Sequence, residues 1–198
     1  MVLSNRFTEA LVWATQLHAD QRRRISGEPY VAHLLRVAGI VLEHGGSEDD
    51  AIAALLHDAV EDQGGAEARE AIRRRFGEQV ARVVDECSDT DQTPKPPWRE
   101  RKNAYLAHLP VASSGARLIA AADKLDNVRS LLMNLRAEGR QVWKHFKGGR
   151  DGSLWYHREV VRALGQAPQD TGAVLLIQEL DRQVGHLERL AAEMEAES

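Results

Sequence analysis

The run Ala53-Ala54-Leu55-Leu56-His57-Asp58-Ala59-Val60-Glu61-Asp62 turns from an apolar stretch suited to a buried helix into four groups able to hold a metal or move a proton. On a helix, residues four apart share a face, so His57 stacks over Glu61 and Asp58 over Asp62. Placing such groups beside a core is costly unless a cation or a reaction compensates. The plain alternative is a polar last turn of a helix. Two further segments offer ligands: His33, and Asp123 within Ala120-Ala121-Ala122-Asp123-Lys124-Leu125-Asp126-Asn127. By itself His33 reads as a hydrogen-bonded core histidine, whereas Asp123, flanked by alanines and a leucine, needs a partner. Together His33, His57, Asp58 and Asp123 form a mixed nitrogen and oxygen set suited to a divalent transition metal. Such an ion makes a water more acidic and polarises a phosphoryl group.

Helical periodicity dominates the chain, and no run of alternating strand residues stands out. Phe7, Leu11, Ala14, Leu17 and His18 line one face of a first helix ending near Asp20. Pro29 suits the first position of a second helix, with Tyr30, Leu34, Val37, Ile40 and Val41 on its apolar face. Ser47 and Asp50 have the spacing of a capping box for the third helix, which carries the His-Asp run and stops at Gly64-Gly65. Short helices over 68–76 and 78–86 follow, and the proline-rich stretch Ser88–Pro97 is expected to be a loop. Next come a helix from Trp98 to Leu109 and a long one from Ser114 to Ala137. Gly148-Gly149-Arg150-Asp151-Gly152 is expected to be a flexible turn before a helix starting near Leu154, and Trp143, Phe146, Trp155 and Tyr156 to pack the late helices. The last helix, Val174 to Met194, reads as an appended amphipathic helix or a homodimer contact. The expected fold is one all-α domain over 1–198, with a core at about 5–165 and a C-terminal helical extension at about 170–196.

Of the 198 residues, 43% are hydrophobic and 28% charged, the profile of a globular protein able to bury a sizeable core. The formal net charge of −4 argues against a general nucleic-acid surface, so a phosphate-bearing ligand must be met by local cations. The single cysteine, Cys87, allows no intrachain disulfide and fits a reducing compartment. No signal-like start or membrane-length apolar run is present, and a cytoplasmic protein that does not bind membranes is expected.

Read in order, Gln21-Arg22-Arg23-Arg24, Ser26-Gly27-Glu28-Pro29-Tyr30, His33, Leu55 to Asp62, Phe76-Gly77 and Ala122 to Asn127 form a string that resembles the HD-domain superfamily. More narrowly, it resembles the hydrolase domain of the RelA/SpoT homologues and the small stand-alone alarmone hydrolases, over about Phe7 to Leu164. The resemblance implies an all-helical, manganese-dependent enzyme that removes the 3′-pyrophosphate of an alarmone such as (p)ppGpp or (p)ppApp. It implies that His33, His57, Asp58 and Asp123 hold the metal, and that Glu61 and Asp62 act on the attacking water. One turn beyond His57 and Asp58, these two carboxylates also stand where they can accept the proton of a water held there. A salt bridge to an arginine of the basic segment is the alternative. The resemblance further carries Arg24 and Ser26 to the base of a purine nucleotide, and Asn127 and Ser130 to its ribose and phosphates. Met133 and Arg136 continue that face.

Some positions depart from the family pattern. Lys124 and Asp126 stand where the family usually has an arginine and a histidine, and Glu86-Cys87-Ser88-Asp89 replaces a Gly-Val-Thr-Lys-like stretch. These changes are expected around the nucleotide and not the metal. Lys124 and Arg129 read equally well as surface charges. His18 reads as a core or supporting residue, and His44, His108, His145, His157 and His186 match no ligand spacing. Two other readings stand beside the leading one: an HD-type phosphatase for another nucleotide or dinucleotide cofactor, and a helical nucleotide-binding module without catalysis.

Overall fold

The computed structural model describes residues 2–90, 94–168 and 171–196. The protein is all-α. At its centre lies α3 (Glu48–Leu56), whose residues Ala51 to Leu56 are all buried. A helix that is apolar all round must be enclosed by others, and α1 (Asn5–Leu17), α2 (Val31–Glu43), α6 (Glu78–Cys87) and α8 (Ser114–Glu138) pack around it. The capping box forms as expected: the Ser47 hydroxyl accepts from the Asp50 N–H at 3.2 Å, and Asp50 Oδ2 accepts from the Ser47 N–H at 2.9 Å.

The third helix is not continuous through the His-Asp run. Regular helix stops at Leu56 and resumes as α4 (Ala59–Gln63). A local competition explains the break: His57 Nδ1 bonds the Ala54 carbonyl at 2.8 Å, the acceptor that serves the Asp58 N–H in an unbroken helix. Gly64, at φ 147°, turns the chain into α5 (Gly65–Phe76).

Two turns differ from expectation. Pro29 does not open α2; it sits in an antiparallel bridge with Arg22, and the Tyr30 N–H bonds the Gln21 carbonyl at 3.0 Å. Residues 21–30 therefore form a tight hairpin-like loop that projects Arg22, Arg23 and Arg24. The segment at Gly148–Gly152 is helical and not a flexible turn, because α9 (Gly149–Gly165) begins there. Its glycines serve close approach: a Cβ on Gly148 would lie 2.7 Å from the Trp98 ring, and one on Gly152 at 3.3 Å. Trp98 opens α7 (Trp98–His108), so these glycines dock α7 against α9.

Of the expected loop at Ser88–Pro97, residues 91–93 lie outside the described residues, as does position 170 of the expected extension. The last helix, α10 (Thr171–Ala196), buries Leu176, Leu180, Val184, Leu187 and Ala191. That stripe lies against α8 and α9 of the same chain. No helix of the described residues is long and apolar enough to cross a membrane.

Candidate metal centre and the cationic cleft

Three elements bring the expected ligands together. His33 lies in the first turn of α2, His57 and Asp58 in the break between α3 and α4, and Asp123 near the middle of α8. Both imidazoles and Asp123 are buried. His33 Nε2 stands 3.2 Å from Asp123 Oδ1 and 3.8 Å from Asp58 Oδ2. His57 Nε2 stands 3.0 Å from Asp58 Oδ2 and 3.8 Å from Asp123 Oδ1. Each Nδ1 is engaged elsewhere, on Asp126 Oδ2 for His33 at 2.6 Å and on the Ala54 carbonyl for His57 at 2.8 Å. That leaves the two Nε2 atoms aimed at a common point, and among the described residues the buried His57 Nε2 has no hydrogen-bond partner.

Charge explains why this arrangement suits a cation. Burial opposes ionisation of His57, yet Asp58 and Asp123 outweigh it and hold the imidazole well above its ordinary pKa. Burial likewise opposes ionisation of Asp123 and Asp58; Lys124 with the two histidines holds Asp123 well below the carboxylate range, and His57 does the same for Asp58. A cluster so dependent on internal charge pairing can release its imidazole proton when a divalent ion takes that role. Two imidazoles, two carboxylates and an orphaned buried nitrogen fit a transition metal.

Glu61 and Asp62 follow on α4, and among the described residues neither pairs with an arginine. Lys95 Nζ donates to Glu61 Oε1 at 2.9 Å, and Gln21 Nε2 donates to Asp62 Oδ2 at 2.8 Å. Burial, reinforced by Asp89 for Glu61 and by Asp58 for Asp62, raises both pKa values despite these donors. His18 supports this side from behind: its Nδ1 lies 2.6 Å from Gln21 Oε1, and its ring stacks on Tyr30 at 5.3 Å. Tyr30 in turn donates to Asp58 Oδ2 at 2.6 Å.

Beside these carboxylates opens a cleft of about 540 Å³. Among the described residues its lining carries three arginines of the 21–30 loop, three cations between residues 95 and 102, and Lys124 and Lys147, against Glu61 and Asp62 alone. In a chain of net charge −4 this concentration marks an anion site. Arg24, Ser26, Asn127 and Ser130 all line it. Arg24 donates to the His145 carbonyl at 2.8 Å, and Arg23 donates to Asn127 Oδ1 at 2.7 Å. Asn127 donates onward to Asp123 Oδ1 at 2.6 Å, so one hydrogen-bonded line joins the basic loop to the His-Asp cluster.

Several residues lie where the sequence did not put them. Lys124 is not a surface charge; it is buried, bonded to Asp123, and lines the cleft. Nor do the departures Lys124 and Asp126 concern only the nucleotide side, since they touch Asp123 and His33. Arg129 and Arg136 turn away to Glu179 and His186 of α10. Met133 borders a second cavity of about 450 Å³, between α2 and α8. Phe146, Tyr156 and His157 line the main cleft in addition to packing late helices. Lys95, Arg101 and Lys102 had no sequence signal beyond scattered charge; Asp89 gathers the last two, donated to by Lys102 at 2.7 Å and by Arg101.

Comparison with known proteins agrees with this geometry. The chain is 41% identical over 126 residues to guanosine-3′,5′-bis(diphosphate) 3′-pyrophosphohydrolase MESH1 of Xenopus tropicalis, covering 62% of this chain and 68% of that protein. MESH1 of Homo sapiens is 40% identical over the same shares. The solved structure of a metazoan ortholog of SpoT that hydrolyses ppGpp superposes with a TM-score of 0.76 at 31% identity, over 93% of this chain and 98% of that one. The model of the HD domain matches residues 10–154, which include His33, His57, Asp58 and Asp123. The chain belongs to the HD domain family.

Proposed function

We propose that the protein is a metal-dependent 3′-pyrophosphohydrolase acting on a purine nucleotide of the guanosine-3′,5′-bis(diphosphate) type. The observation that carries this reading is the juxtaposition of the His33–His57–Asp58–Asp123 cluster with a cation-lined cleft, the Glu61–Asp62 pair standing between them. The names of the similar proteins, MESH1 among them, support the choice of substrate. His33, His57, Asp58 and Asp123 would hold the ion, a divalent transition metal by their mixed imidazole and carboxylate set and manganese by the family resemblance. When bound, a divalent ion supplies Lewis acidity at phosphorus and makes a water more acidic.

The remaining work falls to this chain's own side chains. Glu61 and Asp62, with pKa values raised by burial, are suited to accept the proton of the attacking water. Oxygen from that water bonds the 3′ phosphorus, the bond from phosphorus to the ribose 3′ oxygen breaks, and that oxygen leaves with a proton. Pyrophosphate and a nucleoside 5′-diphosphate result. Arg24 and Ser26 would flank the base, the guanidinium offering a flat cationic face, while Asn127 and Ser130 meet the ribose. Lys124, Lys102 and Arg101 would supply local positive charge to the phosphates in a chain whose net charge is −4.

The test is a nucleotide panel with products identified, run on the manganese-loaded protein. Pyrophosphate release from ppGpp or ppApp with the 5′-diphosphate intact is expected. Orthophosphate alone, or inertness towards both beside rapid cleavage of another nucleotide, overturns the reading.

A further inference from the structure

We infer that Asp126 is a positioning residue of the metal centre: gripped by Arg36, it holds His33 in the tautomer and ring orientation that present Nε2 to the ion. This rests on the reading of His33 as a ligand. Asp126 is buried on α8, and its two oxygens are divided between two donors from one face of α2. Oδ2 accepts from His33 Nδ1 at 2.6 Å, and Oδ1 accepts from Arg36 Nε at 2.5 Å. His33 and Arg36 are three residues apart and so project side by side. Arg36 is itself held, its far nitrogen donating to Glu28 Oε1 at 2.7 Å.

The consequence follows from the donor and acceptor inventory. An ionised carboxylate only accepts, so the ring proton of a neutral His33 must sit on Nδ1 and the lone pair on Nε2. With its other oxygen fixed by Arg36, the carboxylate cannot swing away and release the ring. His57 is supported differently, because its Nδ1 meets a neutral backbone carbonyl. A full negative charge behind His33 also makes that imidazole the stronger donor to a cation. The two histidines are thus unequal ligands, and the inequality originates in Asp126.

The test uses the full chain stripped of metal and titrated with Mn²⁺ by calorimetry, with ¹⁵N NMR of the His33 ring. Asp126→Asn should weaken Mn²⁺ binding roughly 10- to 100-fold and mix the ring tautomers, with the melting temperature of the metal-free protein near that of wild type. Arg36→Met should do the same by a smaller factor, and it stands in if Asp126→Asn does not fold. Wild-type affinity together with an unchanged tautomer in either variant that folds overturns the inference. His33→Ala separates the two readings. Loss of Mn²⁺ there with retention in Asp126→Asn sinks only the role of Asp126. Retention in His33→Ala sinks the ligand assignment itself.

Discussion

On the metal side, four short side chains from α2, the α3–α4 break and α8 converge on one point, each fixed by a partner behind it. On the cleft side, long arginines and lysines reach in from the 21–30 loop, the 95–102 segment and α8, and several are parked on carboxylates or carbonyls. The first region is rigid because short side chains leave few rotamers and burial forbids unpaired charge. The second is adaptable because long cations can exchange one anionic partner for another at small cost. Chemistry needs the former and recognition tolerates the latter. Changes on the metal side should therefore abolish turnover, while changes in the cleft should mainly alter affinity.

The largest effect is expected at Asp123. Asp123→Asn replaces the carboxylate that would hold the ion by a neutral amide and removes the charged partner of Lys124, while Asn127 keeps an oxygen to donate to. Metal content by mass spectrometry and hydrolysis should both fall to background. Metal at wild-type stoichiometry in this variant would dissolve the distinction between the two sides.

Next come Glu61→Gln and Asp62→Asn, which should keep metal and nucleotide but lower kcat by roughly two to four decades. Their pH dependence sharpens the point. A base works deprotonated, so activity rises with pH through its pKa, and burial raises that pKa for both residues. The acid limb of kcat/KM should lie at higher pH than an unshifted carboxylate would give. Lys95 counteracts the rise at Glu61, so Lys95→Met should move the limb to higher pH.

In the cleft, Arg24→Ala should raise KM on the order of tenfold, about 1.4 kcal/mol, with kcat little changed. Added salt should raise the wild-type KM in the same direction, because the cations lining the cleft act partly through screened fields.

The smallest effect concerns the frame of the cleft. Gly148→Ala drives a methyl into Trp98 and should cost about 1–3 kcal/mol, read as a modest drop in Tm. Metal affinity should not change, since the clash separates α7 from α9 and leaves the cluster alone.

The same contrast explains what could be read from the chain. His33, His57, Asp58 and Asp123 were visible because charged groups at helical spacing amid alanine and leucine violate the pattern of a core. The capping box of α3 was visible because its chemistry is local, from Ser47 to Asp50. Pro29 misled because a bridge with Arg22 competes with a helix start, and that pairing is not local to the proline. Gly148 and Gly152 suggested flexibility until Trp98, some fifty residues away, accounted for them. Lys124 and Asp126 read as nucleotide-side departures alone; Lys124 lines the cleft but also bonds its neighbour Asp123, and Asp126 reaches His33 across the packing of α2 on α8, which has no sequence signature. Lys95, Arg101 and Lys102 belong to the cleft only through tertiary folding.

The most direct measurement is hydrolysis of ppGpp by the manganese-loaded protein in H₂¹⁸O, with the phosphorus products followed by ³¹P NMR. One ¹⁸O in the released pyrophosphate, an intact nucleoside 5′-diphosphate and no labelled product from Asp123→Asn are expected. Label in orthophosphate, label at the ribose 3′ oxygen, or undiminished turnover in that variant would contradict attack at the 3′ phosphorus beside the His-Asp cluster.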